Sequence, residues 1–191
     1  MTNQFFRIGK EAIQGIVVYY RPMTSVATPI PGGLSLRSAS LRDAERIHAL
    51  IHLHKDELVP RPMGNIVENI DRFLIAECDG EMVGCTAYQV WPEIGAPLKA
   101  TVEIQSVAVR APYRRRGVGR LLVKGVIEHV RAFEPAEVMV LTLTPAFFAS
   151  LGFHEIPKTH IMHKLYSGCI NCTKHADPFT CPEKAMMLEM R

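Results

Sequence analysis

A chain of 191 residues, 48% hydrophobic and 21% charged, has the size and composition of one ordinary globular domain with an extension, which excludes a disordered or fibrous protein. Lysine and arginine exceed aspartate and glutamate by 22 − 19 = 3, too small an excess to argue for nucleic acid as a partner. The five cysteines are an odd number, no secretory signal is visible, and the apolar run at residues 16–20 is too short for a membrane span, so a reducing cytoplasm is the expected compartment.

Residues 1–33 contain a single acidic residue, Glu11, and close on Thr28-Pro29-Ile30-Pro31-Gly32-Gly33. That Pro/Gly-rich stretch reads as a joint between an N-terminal extension and a domain over residues 34–191. From Leu34 the pattern is regular. Residues 34–39 alternate like a strand. Ser40-Leu41-Arg42-Asp43 is a start signal for a helix reaching about His54, and residues 63–71 read as a second, short helix. Residues 73–78 and 82–91 form a hairpin turning at Asp79-Gly80, followed by a strand at 101–109. A helix from Gly117 to about Phe133 sets Val118, Leu121, Leu122, Val126 and Val130 near one side. Residues 138–142 are a buried-type strand, and Pro145 opens a helix that stops at Gly152, before a last strand. This order gives a mixed α/β (α+β) fold, a sheet covered by helices.

The most informative stretch is Val107-Ala108-Val109-Arg110-Ala111-Pro112-Tyr113-Arg114-Arg115-Arg116-Gly117-Val118-Gly119-Arg120, which runs strand, break, glycine-rich loop, helix. Glycine lets backbone approach a bound group closely. The first N–H groups of the new helix lack an internal partner and, with the helix dipole, make an anion site. No Gly-Lys-Ser/Thr follows, and the third glycine and later acidic residue of a dinucleotide fingerprint are missing. Taken by itself, the stretch also fits a solvated basic turn before a surface helix. The spacing Arg114-x-x-Gly117-x-Gly119 resembles the pyrophosphate-binding signature of the GNAT N-acetyltransferases. Pro145-Ala146-Phe147-Phe148-Ala149-Ser150-Leu151-Gly152-Phe153 resembles that superfamily's helix beside the thioester. The resemblance implies the GNAT acyl-CoA N-acyltransferase fold, a central, mostly antiparallel sheet flanked by helices, with acetyl-CoA as acetyl donor. It implies that Val107, Ala108 and Val109 pair by backbone with the pantetheine arm. It further implies that Arg114, Arg115, Arg116, Gly117, Val118, Gly119 and Arg120 hold the pyrophosphate.

Four residues before Val107 the same strand carries Glu103. In a regular strand Glu103, Gln105 and Val107 share one face. Acetylating an amine needs the nitrogen neutral, and an α-ammonium ordinarily gives up its proton near pH ~8. A carboxylate in a partly dry cleft takes that proton directly or through water. The bland alternative is a solvated glutamate at a strand end. The pattern Glu-Ile-x-x-Val-Ala-Val resembles the general-base strand of several GNAT enzymes, N-acetylglutamate synthases included, which implies Glu103 as base. Many GNAT enzymes place a tyrosine in the next helix to protonate the leaving thiolate. Phe148 stands there in this sequence and has no proton to give, which leaves Tyr166, Ser167 or water.

The closer resemblance covers residues 34–190. Leu58-Val59-Pro60-Arg61, Asp71-Arg72-Phe73 and the Glu103 strand look like the acetyltransferase domain of N-acetylglutamate synthases. His163-Lys164-Leu165-Tyr166-Ser167-Gly168-Cys169-Ile170-Asn171-Cys172 resembles the short, stand-alone bacterial forms. The implied reaction is transfer of acetyl to the α-amino group of L-glutamate within a ternary complex, the first step of arginine biosynthesis. Glutamate brings two carboxylates, and arginine is the best bidentate partner for one. Arg61 matches the family's substrate-binding arginine, while Arg37 and Lys164 read as surface cations. The long forms' C-terminal substrate-binding arginine and serine fall near Cys181 and Glu183, so that half of the pocket does not carry over.

Cys169-x-x-Cys172-x8-Cys181 in the tail, residues 163–191, has metal-like spacing, and His163 or His175 would complete a zinc tetrahedron. Redox or plain buried cysteines fit the same spacing. Cys78 and Cys85 on the hairpin read as small core residues. Two other functional classes stay open: an acetyltransferase of another amino acid, a polyamine or a protein amine, and a catalytically idle coenzyme A sensor or zinc-dependent interaction module. A homodimer is compatible with each.

Overall fold

The computed structural model describes residues 12–13, 16–17 and 33–190. The two short pieces, β1 (Ala12–Ile13) and β2 (Ile16–Val17), pair antiparallel. The rest of the expected extension before Gly33 lies outside the described residues. Among the described residues no helix is long and apolar enough to cross a membrane.

β3 (Leu34–Ser38) leads into a 3-10 turn, Leu41–Asp43, and α1 (Ala44–Leu53). The start signal works through Asp43, whose Oδ2 accepts the Ser40 backbone N–H and hydroxyl at 2.9 Å each. Next come α2 (Met63–Glu68), shorter than its sequence signal because the chain tightens into a 3-10 turn at Ile70–Arg72, and the hairpin β4 (Phe73–Cys78) and β5 (Glu81–Glu93). Asp79 and Gly80 both have positive φ, 51° and 81°, as a primed two-residue hairpin turn requires. β6 (Ala96–Val109) begins earlier than expected, because Gly95 turns it directly back along β5. α3 (Val118–Val130), β7 (Glu137–Thr142), α4 (Pro145–Ala149) and β8 (His154–Ile156) follow. Two elements of the tail had no expectation: α5 (Met162–Ser167) and β9 (Lys184–Glu189).

The main sheet has seven strands in the order β3-β4-β5-β6-β7-β9-β8. Every pairing is antiparallel except β6 with β7. One face packs on α3 and α4 through Leu74, Tyr88, Val102, Ile104, Val138, Val140 and Met186. α3 supplies five buried apolar residues, Val118, Leu122, Val123, Val126 and Val130. Their burial is worth about 8–15 kcal/mol gross. A helix of that length is marginal alone in water, so packing rather than propensity holds it. The other face is divided. α1 and α2 cover β4, β5 and the end of β6 through Ile47, Ile51, Ile66, Phe73 and Ile75. α5 covers β7 and β9 through Ile161, Leu165, Met139 and Met187.

Candidate functional site

The site begins with a fork in the sheet. β6 pairs with β7 only at Thr101↔Glu137, Val102↔Val138 and Glu103↔Met139. Beyond Glu103 the two strands part, and on that side residues 104–109 of β6 have no strand partner among the described residues. A β-bulge sits just past the fork. Cys85 pairs with Ala108 and Ala87 with Gln105, so Thr86 opposes two residues, Ser106 and Val107. Ser106 takes φ 53°, and a bulge of this kind bends a strand and re-aims its side chains. One expectation is corrected here. Val107 does not share a face with Glu103 and Gln105, because the extra residue turns it to the α3 side, where it packs beside Ile104.

Glu103 is 4% exposed and lies on the divided face, between the α1/α2 and α5 clusters. Its Oε2 accepts the Trp91 indole N–H at 2.7 Å, the Gln105 side-chain amide and the Lys164 ammonium at 2.8 Å. Lys164 lies 4.4 Å above the Trp91 ring centroid and is itself 8% exposed. The surface position expected for Lys164 is therefore wrong: α5 turns it inward, where an unpaired ammonium would be costly and the carboxylate compensates it. The Gln105 carbonyl oxygen accepts an N–H of Arg61, so one amide links Arg61 to Glu103. Arg61 also donates to Ser106 Oγ and Asn65 Oδ1, both at 2.7 Å, and its guanidinium lies 5.9 Å from the Phe73 ring centroid. Burial pushes the Arg61 pKa down, while Glu103 and Cys85 oppose that shift. Trp91, Gln105, Ser106 and Asn65 carried no expected role; the only tryptophan in the chain on the strand beside Glu103 was the one available signal.

The glycine-rich loop follows at the other end of β6. A 3-10 turn, Ala111–Tyr113, breaks the strand. Arg115 and Gly117 take left-handed φ, 63° and 86°, and α3 begins at Val118. The first intrahelical amide is that of Leu121, donating to the Gly117 carbonyl at 2.9 Å, so the preceding first-turn N–H groups are free for an anion. A Cβ at Gly117 would meet nothing within 4 Å, whereas one at Gly119 would lie 3.3 Å from the Phe147 ring; the loop is open outward and closed toward α4. Arg115 and Arg116 are exposed, with Arg116 5.9 Å from the Tyr113 ring centroid. Arg114 donates to Glu57 Oε2 at 3.1 Å and contacts His54 Nδ1 at 2.9 Å. Arg120 donates to the Ser150 hydroxyl at 3.1 Å. The residues present thus fit a diphosphate: main-chain donors, a helix dipole and three guanidinium groups, those of Arg115, Arg116 and Arg120, without an ion-pair partner among the described residues.

Phe148 is buried edge-to-face against Phe147 and Phe153, in the core rather than at a surface where a proton donor would act. Tyr166 and Ser167 are exposed on α5. Arg37 is also no free surface cation: it donates to both Asp43 oxygens at 2.8 Å and to Glu77 at 2.7 Å, clamping β3, β4 and the start of α1.

The zinc tetrahedron expected from His163, Cys169, Cys172 and Cys181 is not formed. Among the described residues no three His, Cys, Asp or Glu side chains are grouped to hold a metal. His163 is buried on α5, where burial pushes its ring pKa down. Cys172 Sγ accepts the Lys174 N–H at 3.4 Å, and Cys181 Sγ donates to Glu183 at 3.7 Å. Burial pushes the Cys169 thiol up to about 11. The loop is held instead by Lys158 Nζ, which donates to the carbonyls of Pro178 at 2.8 Å and Cys181 at 2.6 Å. Cys85 is a fully buried core thiol, as its strand position suggested.

Residues 40–156 match the acetyltransferase (GNAT) family. An uncharacterized N-acetyltransferase of Chlorobaculum tepidum is 33% identical over 154 residues, 80% of this chain and 94% of that protein. An amino-acid acetyltransferase of Mycobacterium tuberculosis is 29% identical over 136 residues, 69% of this chain and 74% of that protein. Among solved structures, N-acetylglutamate synthase from Neisseria gonorrhoeae, complexed with coenzyme A and N-acetyl-glutamate, superposes with a TM-score of 0.68 at 22% identity, over 83% of this chain. The match spans 35% of the Neisseria chain.

Proposed function

The chain belongs to the acetyltransferase (GNAT) family, and from that premise we propose that it transfers acetyl from acetyl-CoA to the α-amino group of L-glutamate. The observation that carries the reading is Glu103 at the fork of β6 and β7, one amide away from a half-buried arginine. The M. tuberculosis relative named an amino-acid acetyltransferase supports the acceptor class.

Bound acetyl-CoA supplies the activated acyl group. The exposed edge of Val107, Ala108 and Val109 would take the pantetheine arm. The amides of Gly117 to Arg120, with Arg115 and Arg116, would take the pyrophosphate. Arg61 then binds one acceptor carboxylate. All three of its present hydrogen-bond partners are neutral, so an anion improves its surroundings more than any of them does. Glu103 Oε1 takes the proton of the α-ammonium, directly or through one water. The freed lone pair forms the N–C bond as the C–S bond breaks, the electron pair leaves on sulfur, and the second proton shed by the acylated nitrogen passes through water to the thiolate, giving the amide and the coenzyme A thiol. A thiolate is stable enough to depart without a strong acid, which accords with Phe148 being a core residue.

The test is Glu103→Gln, which keeps the side chain's shape and one acceptor oxygen but removes the base. Turnover with L-glutamate should fall by about 10²–10⁴-fold while acetyl-CoA affinity, read by calorimetry, holds. Turnover equal to wild type at every pH would remove the base from this position.

A further inference from the structure

We propose that Lys164 is a positioning residue for Glu103: it fixes Oε2 so that Oε1 is the oxygen presented to the acceptor amine. This rests on Glu103 being the base. It adds a working part from α5, outside the family-matched residues 40–156.

The two oxygens of Glu103 are treated differently. Oε2 receives three donors, from Lys164, Trp91 and Gln105. Oε1 receives none among the described residues. It is not sealed either, since among the described residues the buried side-chain atoms without a partner are His54 Nε2 and His163 Nε2. One oxygen is therefore locked and the other left to act.

Lys164 is itself held in place. Its ammonium sits over the Trp91 ring, and Gly168, one turn later, closes above both. A Cβ at Gly168 would fall 2.9 Å from Lys164 Nζ and 2.8 Å from Trp91 Cη2, so a side chain there would have to displace the ammonium or the indole. The pair's side chains are 10% and 5% exposed, which leaves little room for solvent screening. The other charged or titratable groups that Glu103 feels are Arg61, through Gln105, and His163 and Cys169 from the α5 end. Burial favours the neutral form of the last two, so Lys164 is the cation in contact.

Lys164→Met, Lys164→Arg and Gly168→Ala in the full chain test this. Each is assayed for thiol release with L-glutamate from about pH 5 to about pH 9, with acetyl-CoA calorimetry as a check on folding. Lys164→Met should lower kcat by about 10- to 100-fold and leave acetyl-CoA affinity within about twofold. Lys164→Arg, which keeps the charge, should recover part of the rate. Gly168→Ala, which keeps Lys164 but pushes it aside, should show a smaller loss of the same sign. If Glu103→Gln retains full turnover, the base reading fails and this role with it. If Glu103→Gln is inactive yet Lys164→Met keeps the wild-type kcat, only the role of Lys164 is overturned. If Lys164→Met does not fold, wild-type kcat in both other variants overturns it.

Discussion

Arg61→Ala asks where the acceptor's carboxylate binds. The guanidinium sits between Ser106 Oγ and Asn65 Oδ1, both at 2.7 Å, and Gln105 Oε1, in a setting where burial works against its charge. A hydrogen bond to a charged group contributes about 1.5–3 kcal/mol. Its loss corresponds to about a 10- to 150-fold drop in kcat/KM for L-glutamate. The proposed acetyl-CoA site lies at the far end of β6 and the first turn of α3, away from Arg61, so on that proposal the KM for acetyl-CoA should stay near wild type. Arg61→Lys keeps the charge but loses the planar, spread donor fork, and should fall between wild type and Arg61→Ala. Initial rates of thiol release, with each substrate varied in turn, give the split. Melting temperatures show whether the Ser106 bulge, which Arg61 braces, survives. Equal increases in both KM values, or no increase for glutamate, would refute a pocket role for Arg61.

Gly117 has φ 86° with open space where a Cβ would stand, so Gly117→Ala is strained by conformation and not by contact. The cost is about 1–2 kcal/mol, and calorimetry should show weaker acetyl-CoA binding together with a Tm lower by about 2–8 °C. Arg37 holds the Asp43 carboxyl well below the usual carboxylate range, chiefly by its hydrogen bonds. The stability Asp43 contributes is therefore complete above its unfolded value, near ~3.9, and is lost as pH falls toward the folded one. Urea unfolding should show Arg37→Met less stable by about 3 kcal/mol at neutral pH, with the gap to wild type closing in acid. Cys169, its thiol pushed up to about 11 by burial, should react with iodoacetamide at mildly alkaline pH more slowly than a free thiol, and as fast as one in denaturant. Mass spectrometry of the labelled peptide measures both rates.

The elements that could be read in advance are those with local signals. The Asp79-Gly80 turn, the Ser40–Asp43 start and the apolar stripe of α3 each declare themselves within a few residues. The order strand, break, glycine-rich loop and helix from Val107 to Arg120 was legible for the same reason. The bulge at Ser106 was not, because a serine in left-handed backbone has no sequence mark, and missing it put Val107 on the wrong face. β9 alternates Ala185 and Met187 toward α5 with Met186 and Leu188 toward α4, a period-two pattern that was readable. Its place between β7 and β8 is long-range and was not. Lys164 was misread because burial of a lysine depends on a carboxylate that lies 61 positions away in sequence, 164 − 103. The cysteine spacing suggested a metal, but among the described residues no such ligand group is gathered, and Lys158 ties that loop through two carbonyls.

The most direct measurement is thiol release from acetyl-CoA across the amino acids, run beside calorimetric titration with acetyl-CoA. The expected result is a measurable heat of acetyl-CoA binding and saturable thiol release with L-glutamate that Glu103→Gln abolishes. Folded protein that gives no heat with acetyl-CoA, or that binds it yet releases no thiol above the acceptor-free background with L-glutamate, would contradict the proposed reaction.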